Sequence, residues 1–228
     1  MKQKILYING FFAVLVFVFN FIYLKFAYLT ENGLMYKSLT VIWFGILAVI
    51  NAIYVNKTVK TDSKFAKIMP LGSVSAMLGD IIIGVNFLIG ALIFALGHIC
   101  FILAYMQLQR FNKRDCIISS VIFVLSTIFL LSYKAIVFPA EIMKYIAIVY
   151  ALIISFMLGK SISIFLTERN ILTTILLIGS VLFFLSDMIL VFECFVGFTW
   201  AGKLCMALYC PAECSLAFSV FLYGEMKR

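Results

Sequence analysis

Eight long apolar runs, separated by short polar breaks, leave this chain few ways to fold. They fall near residues 5–27, 35–55, 68–88, 90–108, 117–133, 141–159, 171–192 and 200–223. Each is about 20 residues long, enough for an α-helix to cross the roughly 30 Å of a bilayer's hydrocarbon core. A soluble core competes poorly, because only 12% of the 228 residues are charged and 65% are hydrophobic, too few charges to cover a surface. The narrowest break is Asn86–Gly90 (NFLIG); without it, 68–108 would be one helix about 60 Å long, twice what a bilayer needs. Lys2 and Lys4 precede the first run as they would in a signal peptide. The run continues past Tyr23 without a small-x-small cleavage pattern, so it reads as a retained helix. The expectation is an all-α, polytopic transmembrane helical bundle of about eight helices, one domain over 1–228.

Orientation follows from the basic residues. With eight spans, both termini and the loops after the second, fourth and sixth helices share one side. That side carries Lys2, Lys4, Lys57, Lys60, Lys64, Lys67, Arg110, Lys113, Arg114, Lys160, Arg169, Lys227 and Arg228. The opposite loops hold only Lys25 and Lys134, while Lys37, Lys144 and Lys203 fall inside predicted helices. Both termini are therefore expected in the cytoplasm, with the bundle in the cell membrane. The net charge of +8 reads as this topology signal, with some attraction to anionic lipid, and needs no nucleic-acid partner.

Two of the apolar runs hold an aspartate. Asp80, in GSVSAMLGDIIIG (Gly72–Gly84), is the one charge between Ile68 and Ala95; Asp187 sits in GSVLFFLSDMILV (Gly179–Val191). GSVSAMLGD and GSVLFFLSD match at Gly, Ser, Val, Leu and Asp, and helices three and seven would run the same way. The chain can thus be read as two parallel four-helix halves, 1–116 and 117–228. The competing reading is two independent helices that use Gly and Ser for close packing.

A charge at bilayer depth costs several kcal/mol, so each intramembrane ionisable residue raises a functional hypothesis. The set is Asp80, His98, Asp187 and Glu213, with Lys37 and Lys203 near the outer starts of helices two and eight. At about 1.5 Å per residue, Asp80 and His98 would lie roughly 12–14 Å deep, Asp187 shallower and Glu213 deeper. All can share one polar cavity open to the outer half, lined by Tyr105, Tyr209, Ser73, Ser75, Ser180 and Ser186. The bland alternatives are snorkelling for Lys37 and Lys203, an interhelical hydrogen bond for His98, buried structural ion pairs for the aspartates, and a helix end for Glu193. The six cysteines form no CxxC or zinc spacing, and no GxSxG or phosphate-binding glycine loop is present. No metal site and no cofactor are expected.

The order and spacing of these motifs resemble the YhhN family of membrane proteins, whose characterised members are lysoplasmalogenases. The likeness rests on LGDIII (Leu78–Ile83), FALGHICFILAYM (Phe94–Met106), GSVLFFLSDMIL (Gly179–Leu190) and ALYCPAECS (Ala207–Ser215), with Lys37 in MYKSLTV. Ser38 stands where the family has proline, and Glu213 where it usually has glutamine. The resemblance implies hydrolysis of the vinyl ether of a lysophospholipid drawn from the bilayer, giving a fatty aldehyde and a glycerophospho-alcohol. Such a bond breaks by protonation of its β-carbon and addition of water to the resulting oxocarbenium ion. That suits two carboxylates, one acid and one base, as in glycosidases. Asp80 and Asp187 would be this pair; His98, Tyr105, Tyr209 and Glu213 would tune it, and Lys37 or Lys203 would hold the phosphate. Two other classes compete. A proton-coupled transporter also fits repeated halves with buried acids. An intramembrane aspartyl protease would need Gly-x-Gly-Asp and Tyr-Asp, where this chain has Met77 and Ser186.

Overall fold

The computed structural model describes residues 2–59 and 63–228; Lys60, counted above among the cytoplasmic charges, lies outside them. Among the described residues there are eight membrane-length helices and no strand. They are α1 (Lys2–Ile22, continued as a π-helical turn over Tyr23–Ala27), α2 (Gly33–Thr58), α3 (Lys64–Ile83), α4 (Phe87–Leu108), α5 (Lys113–Ser132), α6 (Glu141–Thr167), α7 (Ile171–Val196) and α8 (Thr199–Lys227). The chain is a polytopic helical membrane protein.

The helix ends follow local chemistry. Asn86 caps α4 by accepting from the Ile89 amide at 3.0 Å, so α3 stops at Ile83, five residues earlier than the apolar run suggests. Capping boxes start α5 (Asn112 and Asp115) and α7 (Asn170 and Thr173). A division of the chain at 116/117 would therefore cut α5, and the connection between the halves is 109–112. Gly197, at φ 82°, caps α7 in the left-handed region and lets the chain turn straight into α8.

Lys2 Nζ lies 2.9 Å from Glu225, and the Tyr54 hydroxyl donates to Glu225 at 2.7 Å. The start of α1 and the ends of α2 and α8 thus gather at one end of the bundle. Inside, Asn9 and Asn51 exchange hydrogen bonds of 2.8 Å, and Asn51 also donates to the Ala217 carbonyl at 2.9 Å. These bonds tie α1, α2 and α8 together where no hydrophobic force separates helix from lipid.

Lys160 is not a loop charge. α6 runs on to Thr167, and Lys160, 1% exposed, bonds Asp115 at 2.7 Å and the Arg110 carbonyl at 3.0 Å. The capping carboxylate of α5 thus gains a buried cation.

The two halves correspond. Gly72 and Gly179 are 107 residues apart, and the same offset carries the start of α3 (Lys64) onto the start of α7 (Ile171) and Gly33–Thr58 onto 140–165, close to α6. It carries Lys37 onto Lys144 and Asp80 onto Asp187. Contacts α1–α2, α2–α3, α3–α4 and α4–α6 have the counterparts α5–α6, α6–α7, α7–α8 and α8–α2. The two glycines do equivalent work. A Cβ on Gly72 would enter the Phe101 ring of α4, and one on Gly179 would come within 2.7 Å of Leu216 on α8, so each glycine sets a close helix crossing.

Candidate active site

Asp80 and Asp187 line one small polar cavity at the end of the bundle opposite the termini. Its walls include Tyr23, Lys37, Ser186, Glu193, Cys205 and Tyr209. Counted from the observed helix ends, Asp80 is about 5 Å in and Asp187 about 14 Å. This reverses the depths expected from the apolar runs, because α3 ends early while α7 continues to Val196.

The two aspartates have different neighbours. Asp80, 6% exposed, takes Lys37 Nζ at 2.9 Å on Oδ1, and the same ammonium reaches its main-chain carbonyl at 3.4 Å. Asp187, 4% exposed, uses Oδ2 to accept from the Tyr150 hydroxyl at 2.9 Å and to contact His98 Nε2 at 3.1 Å. Tyr150 and His98 are themselves 2.8 Å apart, so the three atoms form a triangle. His98 Nδ1 faces Met157 Sδ at 3.2 Å. Asp187 is thus held by a phenol and an imidazole that also touch each other.

Asp187 also belongs to the wall of a second, apolar cavity. Phe87, Phe94, Leu130, Met143, Ile146 and Phe195 are among its other lining residues, and Tyr150 borders it too. Ile83, Phe94, Asp187 and Leu190 line both spaces, and Asp187 is the polar one among them. Phe183 packs edge-on against His98 at 4.5 Å between ring centres, and against Tyr209 at 5.3 Å. These rings fix the imidazole behind Asp187, away from both cavity walls.

Of the residues singled out in the sequence, Asp80, Asp187, Lys37 and Tyr209 line the polar cavity, as does Ser186, and His98 reaches it through Asp187. Tyr105 is fully buried and bonds Ser180 at 2.8 Å instead; neither it nor Ser75 is a cavity wall. Glu213 is buried deeper along α8, beside Ser73. Lys203 is exposed, with its ammonium 5.4 Å from the centre of the Tyr28 ring. Two partners emerge only in three dimensions. Tyr150 was one tyrosine among eleven in an unremarked apolar run. Glu193 is no mere helix end: it lines the polar cavity and accepts from the Tyr28 hydroxyl at 2.9 Å. A Cβ on Gly202 would collide with both groups.

A Tyr–His–Asp cluster and a lysine-paired carboxylate, facing one cleft inside an eight-helix bundle, define a class: polytopic membrane proteins with buried ionisable groups inside the bundle. Within that class the chain belongs to the YhhN family, whose model matches residues 33–220. No curated protein and no solved structure matches the chain.

Proposed function

We propose that this protein hydrolyses the vinyl ether of lysoplasmalogens, releasing a fatty aldehyde and a glycerophospho-alcohol. The observation that carries this reading is the position of Asp187, shared between a polar cleft that also holds Asp80 and an apolar cavity reaching toward α4 and α6. Family membership supports it, since the YhhN family is linked to this activity. A single alkenyl chain would lie in the apolar cavity, with its first carbons at Asp187 and its glycerol in the polar space. Lys37 is already committed to Asp80, so the lipid phosphate falls to Lys203 beside the rim.

The chemistry divides between the two carboxyls. In this scheme a proton held between Asp187 and His98 passes to the β-carbon of the vinyl ether, and the ether oxygen shares the resulting positive charge. Asp80, paired with Lys37, acts in this scheme as the carboxylate that stabilises the oxocarbenium ion and takes a proton from the water that adds to it. As the hemiacetal collapses, Asp80 returns this proton to the departing alcohol oxygen. The hemiacetal hydroxyl gives its own proton back to Asp187, leaving an aldehyde. One water is consumed and the protein regains its starting state. His98 and Tyr150 act through Asp187 as positioning residues.

The direct test is purified protein with a lysoplasmalogen and a measurement of aldehyde release. Absence of aldehyde from folded protein would reject the assignment.

A further inference from the structure

Glu213 is a core carboxyl that this acid–base scheme does not use. It is 0% exposed, and among the described residues neither of its oxygens has a partner at full hydrogen-bond geometry, the Ser73 hydroxyl being a side chain that approaches it. Three other buried polar atoms share that condition nearby: Ser73 Oγ, the Tyr209 hydroxyl and Asp80 Oδ2. Ser73 adjoins Glu213, and Tyr209 lies within electrostatic reach of both Glu213 and Asp80. Ser73 and Asp80 are two turns apart on one face of α3, Tyr209 and Glu213 one turn apart on α8, and α3 packs on α8. The five atoms therefore sit on facing positions of α3 and α8, and two of their residues, Tyr209 and Asp80, are walls of the polar cavity.

Each unpaired buried polar group is costly, and buried water commonly resolves that cost by bonding about three such groups at once. Hydrolysis within a lipid-filled cleft also poses a supply problem, because the alkenyl chain occupies the apolar side of Asp187. Water must reach the reacting carbon from the protein side.

We propose that Ser73, Tyr209 and Glu213 bind a short file of water behind the cavity, with Asp80 at its reactive end, and that this file supplies the water consumed in hydrolysis. This rests on the hydrolytic reading of Asp80 and Asp187. In the step itself, the leading water forms the new C–O bond and gives its proton to the Asp80 carboxylate. The next water in the file moves up behind it. Glu213 is a positioning residue in this scheme, since it orders water and does not touch the lipid.

X-ray footprinting tests the site, because hydroxyl radicals formed from ordered water oxidise the side chains beside it. In the purified, folded protein Tyr209 should be oxidised several-fold more than Tyr105, although both are almost fully buried. Glu213→Leu should remove that excess, while Glu213→Gln, which keeps two polar atoms, should retain it. Glu213→Leu should also lower kcat for a lysoplasmalogen by about 10- to 100-fold, the scale of a misplaced reactant, with KM unchanged. If Glu213→Leu does not fold, Ser73→Ala should show the same loss of Tyr209 oxidation. Tyr209 oxidised no more than Tyr105 would overturn the proposal, even with hydrolysis intact. Strong Tyr209 oxidation that depends on Glu213 would uphold the water site even without aldehyde release, and the hydrolytic reading alone would then fall.

Discussion

Lys37 on α2 and Asp80 on α3 form a 2.9 Å ion pair in the wall of the polar cavity, with side-chain exposures of 17% and 9%. Such a pair can be architecture, chemistry or both, and a double-mutant cycle separates these roles. Lys37→Met strands a shielded carboxylate and should cost up to about 3–5 kcal/mol. Asp80→Asn alone should cost less than the lysine change, because the ammonium sits nearer water. The Lys37→Met/Asp80→Asn double variant should recover much of the stability lost in Lys37→Met while remaining inactive. Thermal unfolding in detergent and aldehyde release are the two measurements.

Loss of either carboxyl should stop the chemistry. Asn retains the size and hydrogen bonding of Asp but neither donates a carboxyl proton nor accepts one as a base. Asp80→Asn and Asp187→Asn should each reduce turnover of a vinyl ether lipid by at least about 10²-fold. Near-normal turnover by the folded variants would remove both residues from the mechanism.

Tyr150 should matter through one hydrogen bond. Tyr150→Phe deletes the hydroxyl that Asp187 accepts and keeps the ring at the cavity wall. A hydrogen bond to a charged group, worth about 1.5 kcal/mol, corresponds to a loss of roughly tenfold in kcat/KM. Tyr54→Phe deletes a comparable bond at the far end of the bundle, to Glu225, and should leave kcat/KM unchanged.

The Lys160–Asp115 pair offers the converse case. At 2% and 0% side-chain exposure, it lies outside both cavities. Lys160→Met should destabilise the bundle by about 3–5 kcal/mol, yet the fraction that remains folded should turn over substrate at the normal rate per molecule.

Orientation can be read with cysteines introduced into a cysteine-free background. Lys57→Cys, at the same bundle end as the termini, should resist a membrane-impermeant maleimide applied outside intact cells. Thr30→Cys, in the α1–α2 turn, should react. The reverse pattern would invert the proposed topology.

The eight helices were legible because hydrocarbon thickness sets their length, and Asp80, Asp187, Lys37 and His98 because an ionisable group in such a helix has few innocent explanations. Rotation about each helix axis was not legible. Lipid-facing and core-facing surfaces are both apolar here, so the pattern that orients a soluble helix carries little information. Tyr150 was missed for this reason: its importance depends on α6 turning that face toward α4 and α7. The true depth of Asp80 was hidden by an apolar run that continues beyond the helix end, where Asn86 outweighs hydrophobicity. Lys160 looked like a loop residue because its partner, Asp115, lies 45 positions earlier and serves first as a cap.

The 107-residue correspondence between halves bears on how two like carboxyls come to have unlike surroundings. Had each half been a separate chain, two-fold symmetry would give both aspartates identical surroundings, and neither could specialise without the other. Covalent joining lifts that constraint. Asp80 keeps a lysine from its own half, Lys37, while the corresponding Lys144 does not bond Asp187, which instead meets Tyr150 of its own half and His98 of the other. Broken symmetry gives one aspartate a lysine and the other a tyrosine and an imidazole, a difference of surroundings that an assembly of identical copies could not hold.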